Sequence, residues 1–262
     1  MKKILTIAGS DCSGGAGIQA DIKTITAHKM YAMSAITSLT AQNTTGVYGV
    51  YGVLDCSPEF LSLQLESIFT DIYPDAVKIG MVSNKELISI IADKLVEYEA
   101  KNIVLDPVMV STSGSKLLNV DAMEILINKL LPLANIITPN ILEAECLCGF
   151  HIETKEDMKK AVVKISEKFK GHILIKGGHL RDCSDDLLYS NGEFIWYSQE
   201  KINNPNTHGT GCTLSSAIAC NLGNGCDIKE SILNAKKYIT GAIKANLNIG
   251  NGSGPLNHCY NI

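Results

Sequence analysis

The 262-residue chain lacks the features that mark nucleic-acid-binding and membrane proteins. It has no Lys/Arg-rich run, and its formal net charge is −4, which argues against nucleic acid as the main partner. No stretch approaches the roughly 18 consecutive apolar residues of a membrane span. The first apolar run ends after about five residues at Gly9, too short for the roughly 7–15-residue core of a signal peptide. We therefore expect a soluble, cytoplasmic protein with neither nucleic acid nor membrane as a partner.

Two common phosphate-binding fingerprints are also missing. The dinucleotide pattern G-x-G-x-x-G does not occur, and the absence of any Gly-Lys dipeptide excludes a Walker A loop. This disfavours a Rossmann-type dehydrogenase. The nine cysteines are odd in number and follow no secretory signal, so free thiols are expected. Cys146 and Cys148 lack a second Cys/His pair at ligand spacing, so no structural metal site is predicted.

Short apolar runs and amphipathic stretches alternate along the chain. The runs lack strict alternation and end in Gly, Asp, Asn or Pro, which is typical of strands buried on both faces of a parallel sheet. The predicted strands are 3–9, 33–40, 75–81, 102–109, 135–140 and 172–178. The predicted helices are 57–72, 84–100, 154–169, 209–223 and 227–247.

One segment departs from this alternation. Apolar residues in 186–199 flank Asn191-Gly192, a dipeptide that favours a tight hairpin. The pattern predicts one domain over residues 1–262, a doubly wound α/β sheet with an antiparallel edge.

Ligands of such sheets bind beyond the carboxyl ends of the strands, so the segments that follow strands carry the functional information. The glycine-rich segment 9–24 permits close backbone approach to a ligand. Asp21 lies within it, and its position alone favours a solvated helix face. Gln42 and Asn43 carry amides that can pair with a heterocycle, although turn chemistry explains them equally well.

Two further segments offer groups for a metal and for phosphate. Asn140 and Glu143 could hold water on Mg²⁺, which takes few direct protein ligands. The same Asn-x-x-Glu spacing also makes an N-terminal capping box, and spacing alone favours that alternative. Lys176 ends an apolar strand, where it could contact a phosphate or extend to water.

Gly209, Thr210 and Gly211 lead into an apolar helix that begins near Cys212. Unpaired N–H groups at a helix start bind anions and would stabilise charge on a transferring phosphoryl group. The same field is expected to lower the pKa of the Cys212 thiol toward neutrality and so make it a general base. A buried core cysteine is the alternative, which we favour for Cys220. Together these segments supply what phosphoryl transfer needs.

The same segments carry a family resemblance. In order along the chain, the motifs are "LTIAGSDCSGGAGIQADIKT", "AQNTTGV", "KIGM", "VLDPVM", "TPNILEAE", "IKGGH", "NTHGTGC" and "GSGPLNH". The chain thereby resembles the hydroxymethylpyrimidine/phosphomethylpyrimidine kinases of thiamine biosynthesis, in the ribokinase-like superfamily. The resemblance implies a three-layer α/β/α fold with a central, mostly parallel sheet and a small antiparallel edge. It also implies a cytoplasmic phosphotransferase, usually a homodimer, that uses ATP and Mg²⁺.

In that family, 4-amino-5-hydroxymethyl-2-methylpyrimidine is phosphorylated on its hydroxymethyl group, and most members then phosphorylate the monophosphate. The resemblance assigns roles to residues of this chain by motif. The pyrimidine pocket would be formed by Gly9, Asp21, Gln42, Met81 and Val108. ATP would be bound by Lys176, Asp106 and Thr207. Mg²⁺ would be held by Asn140 and Glu143. The anion hole would be formed by Gly209, Thr210, Gly211 and Cys212, and Cys212 would also be the catalytic base.

Two other functions stay open. Bacterial pyridoxal kinases share these motifs but usually lack a residue like Gln42 and often have Thr in place of Ile79, so a pyrimidine substrate is favoured. A catalytically silent ligand-binding protein is the other alternative. The chain departs from the family at Cys12, commonly Pro or Ser, at Ser115, often acidic, and at Cys259, commonly aromatic.

Overall fold

The apolar runs of the sequence form a nine-stranded sheet in a computed structural model that describes residues 1–47, 52–109, 120–178, 185–198 and 202–262. The segment 111–118 with Ser115, and His179 of the "IKGGH" motif, lie outside the described residues. The strands in chain order are β1 (Lys3–Asp11), β2 (Tyr31–Thr40), β3 (Gln42–Asn43), β4 (Gly46–Val47), β5 (Val53–Asp55), β6 (Ala76–Ile79), β7 (Ile103–Leu105), β8 (Ile136–Ile137), β9 (His172–Ile175), β10 (Asp186–Ser190) and β11 (Glu193–Tyr197).

The order across the sheet is β11-β10-β9-β8-β7-β6-β1-β2-β5, and β3 pairs with β4 in a separate short ladder. The strands from β9 to β2 run parallel. The predicted hairpin is confirmed: β10 and β11 pair antiparallel around Asn191 and Gly192, whose φ angles of 52° and 84° suit a tight hairpin turn. The antiparallel pairing of β5 with β2 at the opposite edge was not predicted.

Helices cover both faces of the sheet. They are α1 (Gly17–Ala27), α2 (Pro58–Asp71), α3 (Lys85–Glu97), α4 (Val120–Ile125), α5 (Ile141–Cys148), α6 (Lys155–Ser166), α7 (Thr210–Gly223) and α8 (Ile228–Lys244). The cap predicted for α2 is confirmed, because Ser57 accepts from the N–H of Phe60 and Pro58 takes the first helical position.

Two apolar cores lie on either side of the sheet. Residues of α2, α3, α4, α5 and α6 pack into one core, and residues of α1, α7 and α8 pack into the other. The layers are therefore helix, sheet and helix. In the described part of the chain, no helix has both the length and the apolar character needed to cross a membrane.

An irregularity between β1 and β2 shapes the end of the sheet where a ligand is expected. Ala8 pairs with Ile36 and Ser10 with Leu39, so the register shifts by one residue and β2 carries the extra residue opposite Gly9. A Cβ on Gly9 would lie 2.7 Å from Cε of Met81 and 2.8 Å from Oγ of Ser38. The backbone of β1 therefore lies close to Ser38 on β2 and to Met81, two residues after the end of β6.

Candidate active site

Lys176 and Asp106 meet at the carboxyl ends of β9 and β7. Nζ of Lys176 lies 2.7 Å from Oδ1 of Asp106, and the hydroxyl of Thr138 donates to the same oxygen. The side chain of Lys176 is 16% exposed, so extension into water is the wrong interpretation of this lysine. Burial alone would lower the pKa of Lys176, but the negative charges of Asp106 and Glu143 raise it. The lysine therefore stays charged at the floor of the site.

Asn140 and Glu143 begin helix α5 as a capping box. The side chain of Asn140 accepts from the N–H of Glu143, and Oε2 of Glu143 accepts from the N–H of Asn140. The structure therefore confirms that Asn140 and Glu143 form the capping box that their spacing allows. Burial raises the pKa of Glu143 to about 7, and the negative charge of Asp106 adds to the increase while Lys176 opposes it.

The donor chemistry of this corner fits Mg²⁺. Asp106 and Glu143 are carboxylates that repel one another across a buried site, and a divalent cation relieves such repulsion. The side-chain oxygen of Asn140 already accepts a backbone hydrogen bond, so its share of a metal shell would run through water. No group of three or more His, Cys, Asp or Glu side chains in the described residues could enclose a metal. The fit is to an ion that keeps most of its waters.

The segment before α7 is pressed against the glycine-rich loop after β1. Gly209 has a φ of +83°, and a Cβ there would lie 1.9 Å from the carbonyl oxygen of Gly15. A Cβ on Gly211 would lie 3.3 Å from both Oδ2 of Asp106 and Nζ of Lys176. The first turn of α7, whose N–H groups have no intrahelical acceptors, therefore lies beside a lysine, and the N–H of Thr210 donates to the carbonyl oxygen of Thr207 just before the helix. The geometry gives the predicted anion cradle a physical basis.

Cys212 lies in the first turn of α7 and is half-buried. Burial raises the pKa of its thiol to about 11, although the positive charge of Lys78 and a hydrogen bond from the N–H of Gly17 act in the opposite direction. The expectation that the helix start lowers this pKa is therefore wrong, since loss of hydration outweighs the helix field. Cys220 is fully buried in the core, as expected of a structural cysteine.

Asp21 differs from both interpretations of its sequence position. Its side chain is fully buried and pairs with Lys78, whose Nζ lies 2.8 Å from Oδ2, so the solvated-face interpretation is wrong. The hydroxyls of Thr6 and Ser216 also donate to its carboxylate. Asp21 has no exposed surface, so the expected direct contact with a pyrimidine is replaced by contacts with the protein itself.

The other residues expected around the pyrimidine lie in or just after different strands. Gly9 lies close to Met81, since a Cβ on Gly9 would be 2.7 Å from Cε of Met81. Gln42 is half-buried at the start of β3, where its carbonyl oxygen accepts from Sγ of Cys12 at 3.1 Å. Val108 is half-buried, and its N–H donates to the carbonyl oxygen of Asp106.

Thr207, expected to contact ATP, is exposed next to the C-terminal segment, and its N–H donates to Oγ of Ser253. It is the member of the expected set with the least burial, and within the described part of the chain its hydrogen bonds run to Ser253, Pro205 and Thr210 rather than to Lys176.

Two structural links were not predicted from the sequence. One link joins Lys78 to Asp21. The other joins Asp11 to His208, 197 residues apart, with 3.0 Å between Oδ2 of Asp11 and Nε2 of His208. Asp11 also accepts from the N–H groups of Ser13, Gly15 and Ala16 and from the hydroxyl of Ser13. Burial would raise the pKa of Asp11, but these hydrogen bonds, with that of His208 largest, hold it well below its usual range. The charged lysine within the apolar run "DAVKIGM" was the one available sequence signal for Lys78.

A three-layer α/β/α fold with an anion cradle, a buried lysine and a carboxylate corner at its strand ends defines a phosphotransferase-type site. Residues 11–257 match the family described as phosphomethylpyrimidine kinase, and the chain belongs to that family. It is an enzyme of the phosphotransferase class.

Curated relatives agree. The hydroxymethylpyrimidine/phosphomethylpyrimidine kinase of Haemophilus influenzae is 41% identical over 98% of this chain and 97% of its own length. The thiamine biosynthesis bifunctional protein ThiED of Geobacter sulfurreducens is 46% identical over 97% of this chain. The chain spans 52% of that longer relative.

Solved structures confirm the ribokinase-like fold. Phosphomethylpyrimidine kinase from Clostridium difficile 630 shares 47% identity and a TM-score of 0.83, covering 93% of this chain and 100% of its own. Pyridoxal kinase from Staphylococcus aureus in complex with AMP-PCP and pyridoxal shares 37% identity and a TM-score of 0.91, covering 100% and 95%. Both substrate classes considered from the sequence are therefore represented among structures similar to this one.

Proposed function

We propose that the chain transfers the γ-phosphoryl group of ATP to 4-amino-5-hydroxymethyl-2-methylpyrimidine, and then to the resulting monophosphate, for thiamine biosynthesis. The observation that carries the proposal is the match, over nearly the whole of both chains, to the Haemophilus influenzae kinase of that name. The site supports it because Gly211, in the first turn of α7, lies close to both Lys176 and Asp106: a Cβ on Gly211 would be 3.3 Å from each of these side chains. ATP as the phosphoryl donor is supported by the AMP-PCP complex of the Staphylococcus aureus enzyme.

Each group has a distinct task in this proposal. Lys176 and the N–H groups of Gly209, Thr210, Gly211 and Cys212 bind the transferring phosphoryl group and the charge that develops on it. Gly9, Met81 and Val108 hold the pyrimidine ring, and the amide of Gln42 pairs with its amino edge. Asp21 supports the pocket from beneath. Asp106 and Thr207 contact the nucleotide.

Mg²⁺ would be held by Glu143 and, through water, by Asn140, next to Asp106. When bound, it neutralises negative charge on the phosphates. The protein itself supplies further positive charge through Lys176. Its hydrogen bond to Asp106 already orients the ammonium, so this charge can stabilise the phosphates without reordering when the nucleotide binds.

Cys212 is the proposed base that accepts the hydroxymethyl proton. A thiol whose pKa is raised to about 11 keeps its proton at neutral pH in the ligand-free protein. Its action as a base therefore depends on fixed positive charge around it. The monophosphate is already an anionic acceptor, so the second transfer does not need this step.

Pyridoxal kinase is the second candidate, favoured by the TM-score of 0.91 to the Staphylococcus aureus enzyme. Two residues were expected to separate the substrates. Ile79 is fully buried in β6 and cannot touch a ligand, so its effect on specificity is indirect. Gln42 is half-buried and remains the residue proposed to favour a pyrimidine.

We also propose that the chain forms a homodimer in the cytoplasm and folds as one domain. Leu39 and Leu54 pair directly across β2 and β5 and are 51% and 67% exposed, a pattern that supports an interface at this edge. Multi-angle light scattering of the purified protein measures the mass, and a monomeric mass contradicts the dimer.

One assay tests the activity. ATP consumption is measured with hydroxymethylpyrimidine, its monophosphate and pyridoxal as separate acceptors. The proposal expects the highest kcat/KM with the pyrimidines. A preference for pyridoxal overturns it in favour of the second candidate, and no turnover with any acceptor favours a silent ligand-binding protein.

A further inference from the structure

Lys78 is a charged residue buried in the middle of the molecule. It lies on β6, and neither its side chain nor that of its partner Asp21 has any exposed surface. Burial would lower the pKa of Lys78, but the charge and hydrogen bond of Asp21 act together with other nearby negative charge, Asp106 included, to raise it, so the ammonium stays charged. Placing a full charge here is costly, and a methionine would fill the same space without that cost. The position therefore calls for an explanation beyond packing.

Asp21 links this lysine to the helix that carries Cys212. Its Oδ2 accepts from Lys78 and Thr6, and its Oδ1 accepts from the hydroxyl of Ser216 at 2.8 Å. Ser216 follows Cys212 by four residues, so both lie on the same face of α7. The hydrogen bonds of Asp21 thus fix the ammonium on the side of α7 that presents the thiol.

The charged groups that act on Cys212 come from several elements near the start of α7. Lys78 on β6 attracts a thiolate, and Asp21 on α1 and Asp106 after β7 repel one. Lys176 after β9 also interacts with Cys212, but its ammonium is bonded to Asp106 and is assigned to phosphate. Of these two lysines, both of which interact with Cys212, Lys176 has a role in the proposed mechanism and Lys78 has not yet been given one.

We propose that Lys78 is a positioning residue for phosphoryl transfer: its ammonium, held in place by Asp21, is the fixed positive charge against which Cys212 loses its proton. This inference rests on the proposed function. The thiol proton leaves to water, and the thiolate then takes the proton of the acceptor hydroxymethyl group as that oxygen bonds to the γ-phosphorus. The bond from the γ-phosphorus to the bridging oxygen breaks, and ADP leaves with its electron pair. The regenerated thiol loses its proton to water before the next cycle.

The test is the rate of Cys212 alkylation by iodoacetamide as a function of pH, followed on the Cys212 peptide by mass spectrometry. Only the thiolate reacts, so the rate reports the ionised fraction. Near pH 9, Lys78→Met is expected to slow alkylation about tenfold, since one nearby charge is worth about one pKa unit or more. Asp21→Asn keeps the shape of the side chain and one of its two acceptor oxygens but removes the negative charge, so it is expected to accelerate alkylation about tenfold.

The control is Lys236→Met, which removes another buried lysine, paired with Asp186, on helix α8. It should leave the Cys212 rate unchanged even if it lowers stability. An electrostatic effect changes the Cys212 alkylation rate in opposite directions in Lys78→Met and Asp21→Asn. A packing defect would change the rate in the same direction in both variants. If Lys78→Met does not fold, Asp21→Asn alone decides.

Unchanged or parallel rates in the site variants overturn the inference, as does a Cys212 that is not alkylated at any pH, because an inaccessible thiol cannot meet an acceptor. The proposed function fails separately, when the unmodified protein consumes no ATP with a pyrimidine acceptor. The alkylation profile does not depend on that result.

Discussion

Gly209 begins the anion cradle in a backbone conformation that a side chain cannot share. Its φ is +83°, which costs an ordinary residue about 1–2 kcal/mol, and a Cβ there would lie 1.9 Å from the carbonyl oxygen of Gly15. An ordinary carbon–oxygen contact is about 3.3 Å, so Gly209→Ala must separate the two loops by more than about 1 Å. Displacements of that size can reduce catalysis about a hundredfold.

The matched control lies just beyond the other end of α7. Gly225 has a φ of +93°, but a Cβ there meets nothing within 4 Å. Gly225→Ala therefore carries the backbone cost of about 1–2 kcal/mol without the collision. We expect Gly209→Ala to lose about 3 kcal/mol or more of unfolding free energy, because the loop contacts are lost as well as the backbone preference.

Urea unfolding and ATP consumption with the pyrimidine acceptor measure both effects. The expected result is a kcat/KM about a hundredfold lower for Gly209→Ala, which corresponds to about 2.7 kcal/mol in the barrier, and near-normal activity for Gly225→Ala. If the two variants behave alike in stability and turnover, the close approach of Gly209 to Gly15 does not position the site.

Three further outcomes are expected. Cys212→Ala should slow phosphorylation of the free hydroxymethyl group by about 10²-fold or more, and phosphorylation of the monophosphate less, in single-turnover assays of each step; equal losses contradict a base role. Asp11→Asn should cost about 1–3 kcal/mol in urea unfolding at pH 7, because it removes the charged acceptor of His208. The pKa of Asp11 is depressed in the folded protein, so its stabilising effect is complete above the unfolded value of about 3.9 and declines below it; a gap between the proteins that stays constant down to about pH 3 refutes this. Gln42→Leu should reduce kcat/KM for the pyrimidine about 10–100-fold and leave any turnover of pyridoxal unchanged, whereas parallel losses indicate a loop defect.

The sequence was most informative where structure depends on neighbours in the chain. The predicted helix 57–72 is α2 (Pro58–Asp71), and the hairpin at 186–199 lies where Asn191 and Gly192 placed it. These features follow from caps, turns and apolar periodicity, which act over a few residues. β5 was missed because a strand of three exposed residues is too short to show a buried or an alternating apolar pattern.

The site was harder to predict because its contacts join distant segments. The strand-end rule placed Lys176 at the right edge of the sheet, whereas Asp106, which bonds to it, was expected there only from the family resemblance. The pKa of Cys212 was predicted in the wrong direction, because a helix start is visible in the sequence and the depth of burial is not. Lys78 and Asp21 are 57 residues apart, and the sequence around each residue gives no sign that the two form an ion pair.

The order in which the chain is made bears on when this site can exist. β1 lies between β6 and β2 inside the sheet, and residues of β1 and of the helix that follows it bond to partners about two hundred positions later. Asp21 on α1 is 195 residues from Ser216, and Asp11 at the end of β1 is 197 residues from His208. A growing polypeptide can therefore bring Lys78 to Asp21 long before α7 leaves the ribosome. Contacts of such separation close late and slowly. A chain truncated before α7 should thus hold this ion pair without the helix that covers it and without the hydroxyl of Ser216.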